Sequence, residues 1–228
     1  MMEPVKIECP FVQWGIDIVG PFPPAQGQKK FLIVAVEYFS KWVEAEAVEK
    51  ISKKEVINFI WKNIICQFGI PRVLISDNET QFQGKGIVEW CKELKVQQHF
   101  TTVGNLQANG QTEVTNRTIL QHLKTRLGSK GSWVEELQGV LWAYRMTPWG
   151  VTGEAPFCLV YGTEVIIPVE IGEKSQWVMA YDPMTNAEER GFDLITIEEK
   201  RDVAYARILH HKGMMMKGYN RRVRPRLL

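Results

Sequence analysis

Residues 14–48 run WGIDIVGPFPPAQGQKKFLIVAVEYFSKWVEAEAV, and the reading of this stretch decides the fold. Trp14 to Val19 is an apolar run broken by a single carboxylate, Asp17, which reads as a buried strand. Pro21, Pro23 and Pro24, set among Gly20 and Gly27, then form a turn that no helix or central strand tolerates. Phe31 to Val36 is a second apolar strand. From Trp42 to Val48 apolar and acidic residues alternate, the two-residue period of a half-exposed third strand. Three strands joined by short turns predict an antiparallel meander.

Downstream the period changes. Ser52 followed by Glu55 makes a capping box, and Val56, Phe59, Ile60, Ile64 and Phe68 recur at helical spacing until Gly69 and Pro71 stop the helix. RVLIS (72–76) is a short strand running directly into Asp77. A helix over about Gly86 to Leu94 precedes another short strand, VQQHF (96–100). TTVGNLQANG (101–110) has no apolar period and reads as a mobile loop, after which Thr112 caps a helix over about Glu113 to Leu127. Trp133 to Arg145 is a further helix, ending before Pro148. Trp142, Tyr144, Trp149 and Phe157 read as packing residues. The expected class is α/β, a mixed sheet flanked by helices. Residues 1–13 form a lead-in, 14–170 the core, and 171–228 a linker, a helix and a basic tail. The helix, about Ala187 to Tyr219, places Phe192, Ile195, Ala204, Ile208 and Met215 roughly on one stripe.

The chain has 228 residues, 45% of them hydrophobic and 24% charged, enough to bury a full core. Its longest apolar run, Phe31 to Val36, is too short to span a bilayer, and the N-terminus has acids and a proline where a signal peptide needs an apolar block. An intracellular protein without a membrane partner is expected. Cys9, Cys66, Cys91 and Cys158 are scattered, with no CxxC pair and no histidine at finger spacing, so they read as small buried hydrophobes and no zinc is expected. The net charge of +2 hides an asymmetry: from Lys212 onward the chain has six basic residues and no acid, so the remainder is acidic. Such a tail suits contact with phosphates, or a solvated terminus.

Three of the 26 acids stand out by context. Asp17 interrupts an apolar strand, where an unpaired carboxylate is costly. Asp77 sits where a strand ends, the usual place for a functional side chain at a sheet's carboxyl edge. Glu113 opens a helix behind the loop, where the helix dipole favours its charged form. Phosphoryl transfer can run on two Mg²⁺ ions roughly 4 Å apart, held by hard oxygen ligands such as these. Read singly, each also fits a plain role: a satisfied core acid, a turn former and a helix-start charge.

Thirty-five residues separate Asp77 from Glu113. Around the three acids stand PFVQWGIDIVGPFP, KFLIVAVEYFSKWVEAE, FGIPRVLISDN, QANGQTEVTNRTIL, WVEELQGVLWAYRMTP, TGEAPFCLVYGTEVIIPVE and YNRRVRPR. With that Asp–Asp–Glu spacing, this ordered series resembles the integrases of gypsy-class LTR retrotransposons, especially plant members, from about Pro10 to Arg226. The resemblance implies a ribonuclease H-like five-stranded mixed sheet with a helical C-terminal extension. It implies Asp17, Asp77 and Glu113 as the catalytic and metal-binding triad for two Mg²⁺ or Mn²⁺ ions. The implied reactions are trimming of the 3′ ends of element DNA and their joining to target DNA. Asn109 and Gly110 would belong to the catalytic loop, Arg117 would face DNA, and Asn116 matches the family word. Helix geometry by itself puts Glu113, Asn116, Arg117 and Lys124 on one broad face. Arg221, Arg222, Arg224 and Arg226 would add phosphate contacts. A homodimer and a nuclear location are further family expectations.

The chain departs from that pattern in three places. Neither the zinc-binding segment that precedes such cores nor a downstream chromodomain is expected from these 228 residues. Glu79 stands where the family has Gly after Asp-Asn, adding a negative charge and losing a residue free to take unusual backbone angles. Thr102 to Leu106 replaces a proline-bearing loop. These changes define an alternative reading, a catalytically impaired remnant that binds nucleic acid without integrating it. A hydrolytic nuclease on the same fold is a third.

Overall fold

A computed structural model describes residues 9–100, 114–123, 133–163 and 183–222, with side chains left out at 183–190, 192–195 and 218–222. The chain divides into two compact units, Met1–Arg145 and Met146–Leu228. The 14–170 core read from the sequence spans their junction.

In the first unit, β1 (Gln13–Val19), β2 (Phe31–Glu37) and β3 (Val43–Val48) form the expected meander, with β2 antiparallel to both neighbours. β4 (Val73–Ser76) lies parallel to β1, and β5 (Gln97–Phe100) parallel to β4, giving a five-stranded sheet in the order β3-β2-β1-β4-β5. β1 is therefore central. Trp14 and Ile16 alternate into the core, and Leu32 to Val36 are all buried, because β2 is covered on both faces.

α1 starts at Lys53, and Ser52 Oγ accepts the Glu55 N–H as its cap. The single helix expected as far as Phe68 changes character midway. Lys53–Phe59 is α-helical, Ile60–Ile65 is a π-turn, and Cys66–Phe68 closes it before Gly69 at φ 89°. Asn63 Nδ2 donates to the Phe59 carbonyl (3.3 Å) and to Glu46 Oε2 (2.9 Å), a side-chain bond to backbone beside the widened turn. Val56, Phe59, Ile60 and Ile64 face the sheet as their spacing predicts. Phe68 stacks on Phe11 with ring centroids 5.1 Å apart.

A short helix α2 (Thr80–Gln83) and α3 (Lys85–Glu93) carry the chain from β4 to β5. α4 covers residues 114–123, burying Thr115, Asn116, Ile119 and Leu123 along one side. α5 (Trp133–Met146) buries Leu137, Val140, Leu141 and Tyr144. Trp142, expected to pack, is instead exposed. Tyr144 is a packing residue as expected, and its hydroxyl lies 3.1 Å from Thr115 Oγ1 on α4.

At the end of α5, Arg145 closes on β3. Its Nε and Nη2 donate to the Val43 carbonyl, its Nη2 meets Glu44 Oε2 at 2.9 Å, and its guanidinium lies 4.4 Å from the Trp42 ring centre. The Trp42 indole N–H donates to the other Glu44 oxygen. Burial raises the Glu44 pKa while Arg145 works against it. This clasp ties the last helix of the unit to the sheet's edge strand.

In the second unit, α6 (Pro156–Tyr161) and α7 (Pro183–Arg222) pack on each other. α7 begins a few residues before the expected start, with Pro183 suited to the first helical position. Its described buried stripe is Ile197, Ala204 and Ile208, while Met215, assigned to the stripe from sequence, is exposed. Phe192 and Ile195 have side chains outside the described residues. Arg201 donates from Nε to the Leu159 carbonyl and from Nη2 to that of Val160, satisfying acceptors that the end of α6 leaves free. Gly162 ends α6 at φ 83°. Among the described residues, no helix is long and apolar enough to cross a membrane. The four cysteines are free thiols, but only Cys91 is buried; Cys9 and Cys66 are exposed, against the expectation of small core residues.

Candidate metal centre

Asp17 and Asp77 stand 60 positions apart in sequence, and parallel pairing brings them together. Gln13, Trp14 and Gly15 pair with Val73, Leu74 and Ile75. Continued at one residue per residue, that register sets Asp77, the first residue beyond β4, level with Asp17 on β1. Both carboxylates thus occupy the carboxyl-end region of adjacent central strands.

Asp17 is held at both oxygens. Oδ1 accepts the N–H of Ile18 at 2.8 Å, and Oδ2 accepts Nδ2 of Asn116 at 2.6 Å. Desolvation nonetheless dominates and pushes its pKa up to about 6, the charges of Asp77 and Glu79 adding to the rise and the two hydrogen bonds opposing it. Asp77 Oδ1 accepts the backbone N–H of Glu79 at 3.2 Å, and burial raises its pKa as well. Glu79 is raised by burial and then by Asp77. Its backbone is ordinary extended chain (φ −65°, ψ 144°), so no glycine-only conformation is required there, contrary to the sequence expectation. Glu79 does not strain the turn; its own N–H helps fix Asp77.

Asn116 is placed otherwise than on an open face with Arg117. It is 6% exposed, with its amide turned onto Asp17, whereas Arg117 is exposed to solvent. An ionised carboxylate only accepts, so the Asn116 NH₂ faces Asp17 and its Oδ1 points elsewhere. That Oδ1 is buried and has no hydrogen-bond partner among the described residues. An acceptor in this state beside two desolvated carboxylates fits a divalent cation or its water shell. Among the described residues, no lysine, arginine or histidine pairs with Asp17, Asp77 or Glu79, and no three of these acidic, histidine or cysteine side chains already converge as a complete ligand set.

Glu113, Asn109, Gly110, Lys124, Arg224 and Arg226 lie outside the described residues, as does the loop 102–106. Arg221 and Arg222 fall in the last turn of α7, their side chains likewise outside. The link from Asn116 to Asp17 was not read from the sequence. An amide three residues after an acid that opens a helix was the available signal, but its burial depends on how α4 docks.

This sheet order, with carboxylates at the ends of its central strands, defines the ribonuclease H-like fold of integrase catalytic cores. The HTLV-2 integrase catalytic core domain, solved with magnesium in a trimeric form, matches with a TM-score of 0.55 at 20% identity, over 66% of this chain and 96% of that one. Its dimeric form also gives a TM-score of 0.55 at 20% identity, over 67% and 97% of the two chains. In sequence, the Gag-Pol polyprotein of avian reticuloendotheliosis virus is 33% identical over 169 residues, 74% of this chain and 14% of the polyprotein. The retrovirus-related Pol polyprotein from transposon 412 of Drosophila melanogaster is 23% identical over 214 residues, 92% and 17% respectively. The chain thus spans under a fifth of the length of either polyprotein. Residues 8–106 match the integrase core domain family. The chain is thus similar to the integrase core domain family over residues 8–106, to retroviral and transposon Pol polyproteins in sequence, and to retroviral integrase catalytic cores in fold.

Proposed function

We propose that this chain acts in DNA integration as a metal-dependent polynucleotidyl transferase core, trimming the 3′ ends of element DNA and joining them to target DNA. The observation that carries the reading is the meeting of Asp17 and Asp77 on neighbouring strands beneath the buried amide of Asn116. Glu113, immediately before α4, completes the triad that holds the metal. When bound, two Mg²⁺ or Mn²⁺ ions supply Lewis acidity at the phosphate and a more acidic attacking hydroxyl.

The chain's own groups do the positioning. Asp17 is locked by two donors, so its carboxylate is aimed before any ligand arrives. Asp77 is fixed by the turn that follows it. Arg117, exposed on α4, offers its guanidinium to a DNA phosphate. By the sequence words, Asn109, Gly110 and Lys124 take part in DNA contact, and Arg221, Arg222, Arg224 and Arg226 add phosphate contacts through the tail. Asn116, buried against Asp17, positions that carboxylate and does not meet DNA. The oligomer is a homodimer, in keeping with a related core solved in dimeric and trimeric forms. The source is a gypsy-class, plant-type retrotransposon, a reading supported by the sequence words, and the place of action is the nucleus.

The test is a strand-transfer assay with labelled 3′-OH DNA in Mg²⁺ or Mn²⁺, run beside Asp77→Asn. Joined product lost in the variant supports the transferase. Cleavage without joining indicates a nuclease. Glu79, an extra charge beside the triad, favours one other reading: a remnant that binds DNA in a salt-sensitive manner and yields neither product.

A further inference from the structure

We propose that the outer face of α7 pairs antiparallel with the same face of a second copy of this chain, forming the subunit contact of the homodimer. The inference rests on the dimer reading above and adds the surface that makes it. Ile197, Ala204 and Ile208 hold one side of α7 inward, while Glu199, Val203, Ala206, His210 and Lys217 are exposed on the other. With Gly213, these outer residues recur at steps of four and three, the period of a helix that packs along another helix. The stripe is about 27 Å long at roughly 1.5 Å per residue. Val203, Ala206, His210 and Met214 also line a groove of 690 Å³, whose other wall includes Gly150 and Val151. Val203 and Met214 are 44% and 60% exposed, so the face leaves apolar side chains in water that a second helix would cover.

Charge identifies the occupant and its direction. From Ala187 to Asp202 the helix carries six acids and three bases; from Val203 to Arg222 it carries five lysines and arginines and no acid. Parallel copies would set like halves side by side, whereas antiparallel copies set the acidic half of each against the basic half of the other. A two-fold axis level with Ile208 brings the stripe onto itself. Glu199 then faces the partner's Lys217, Val203 the partner's Gly213, and Ala206 the partner's His210, because the members of each pair are equidistant from position 208. Ile195 and Val203 stand one turn from Glu199, and Gly213 and Arg221 one turn from Lys217, so α7 itself offers neither of them an opposite charge there. A second copy supplies both, at the two ends of one apolar seam.

The experiment is sedimentation equilibrium of the full chain without DNA, with far-ultraviolet circular dichroism as the check on folding. Wild type, Glu199→Lys, Lys217→Glu, the double reversal and Val203→Asp are compared. Each single reversal turns two attractive pairs into repulsive ones, and the dimer Kd should weaken about 10-fold. The double reversal should return to the wild-type Kd, and an equimolar mixture of the two single variants should form a heterodimer of wild-type strength. Val203→Asp, at an already exposed position, should keep the helix and weaken the dimer at least as much as a reversal. A wild-type dimer that none of these variants weakens overturns the α7 contact and leaves the homodimer standing on another face. Weakening by the single reversals without recovery in the double variant and the mixture overturns the antiparallel register. A folded wild type that stays monomeric overturns the dimer reading and this inference with it.

Discussion

The amide of Asn116 on α4 donates to Oδ2 of Asp17 on β1 at 2.6 Å, joining residues 99 positions apart. The bond couples the helix that follows Glu113 to the central strand of the sheet. It makes the docking of α4 and the orientation of Asp17 one problem.

Asn116→Asp replaces that donor with a second carboxylate against Asp17. Two like charges in a desolvated place cannot both ionise without cost. The variant should be less stable than wild type at pH 7.5 by about 1–3 kcal/mol, and the deficit should shrink at pH 5, where one carboxyl takes a proton. Urea denaturation in EDTA at both pH values checks this; an equal deficit at each would show that charge is not the cause.

The folded protein holds a proton on Asp17 more tightly than the unfolded chain does, its pKa rising from 3.8 to about 6. Stability contributed by this group is therefore complete below about pH 4 and is lost as pH climbs toward 6. Asp17→Asn removes the ionisation. Without metal, the variant should gain on the order of 2 kcal/mol over wild type at pH 7 and little near pH 4. Subtracting the two pH–stability curves isolates Asp17 from Glu44 and Glu37, whose pKa values burial also raises. A flat difference curve would refute the assignment. Saturating Mn²⁺ should reverse the order at pH 7, since wild type alone gains binding energy.

Arg145→Ala takes the guanidinium from the buried Glu44 carboxylate, which keeps the Trp42 indole N–H, and from the Val43 carbonyl. Breaking a buried ion pair from one side costs about 3–5 kcal/mol. Adding Glu44→Gln should recover part of that loss, because no unpaired charge remains. Chemical denaturation of the two single variants and the double variant closes the cycle, and strictly additive costs would deny the coupling.

Gly162 ends α6 at φ 83°, and a Cβ there would press on Ile197 at 3.1 Å. Gly162→Ala should destabilise by about 1–2 kcal/mol. Differential scanning calorimetry reads the shift; an unchanged Tm would mean that neither the backbone angle nor the Ile197 contact constrains this position.

Much of the architecture was legible in local sequence because it follows from period and punctuation. Trp14 to Val19, Phe31 to Val36 and Trp42 to Val48 name their strands by apolar content and alternation, and the turns between them leave antiparallel pairing as the short route. Ser52 with Glu55 announces the start of α1, and Gly69 its end. The same signals could not show the π-turn at Ile60–Ile65, because a widened turn keeps nearly the same apolar face. They misplaced Met215 and Trp142, since periodicity marks a stripe but not whether anything covers it.

The sequence by itself determined which residues are strands and helices, and it singled out Asp17 and Asp77 as acids in costly or exposed-edge positions. Those are local properties: hydrophobic period, turn chemistry and the price of an acid in an apolar run. Tertiary structure alone decided that Asp77 stands level with Asp17, that Asn116 turns inward while Arg117 turns out, and that Glu79 takes an unstrained backbone. Arg145, Glu44 and Trp42 likewise become one clasp only when α5 reaches β3. Each of these depends on strand register and helix docking between segments far apart in the chain, and pairwise geometry of that kind leaves no periodic trace in the sequence.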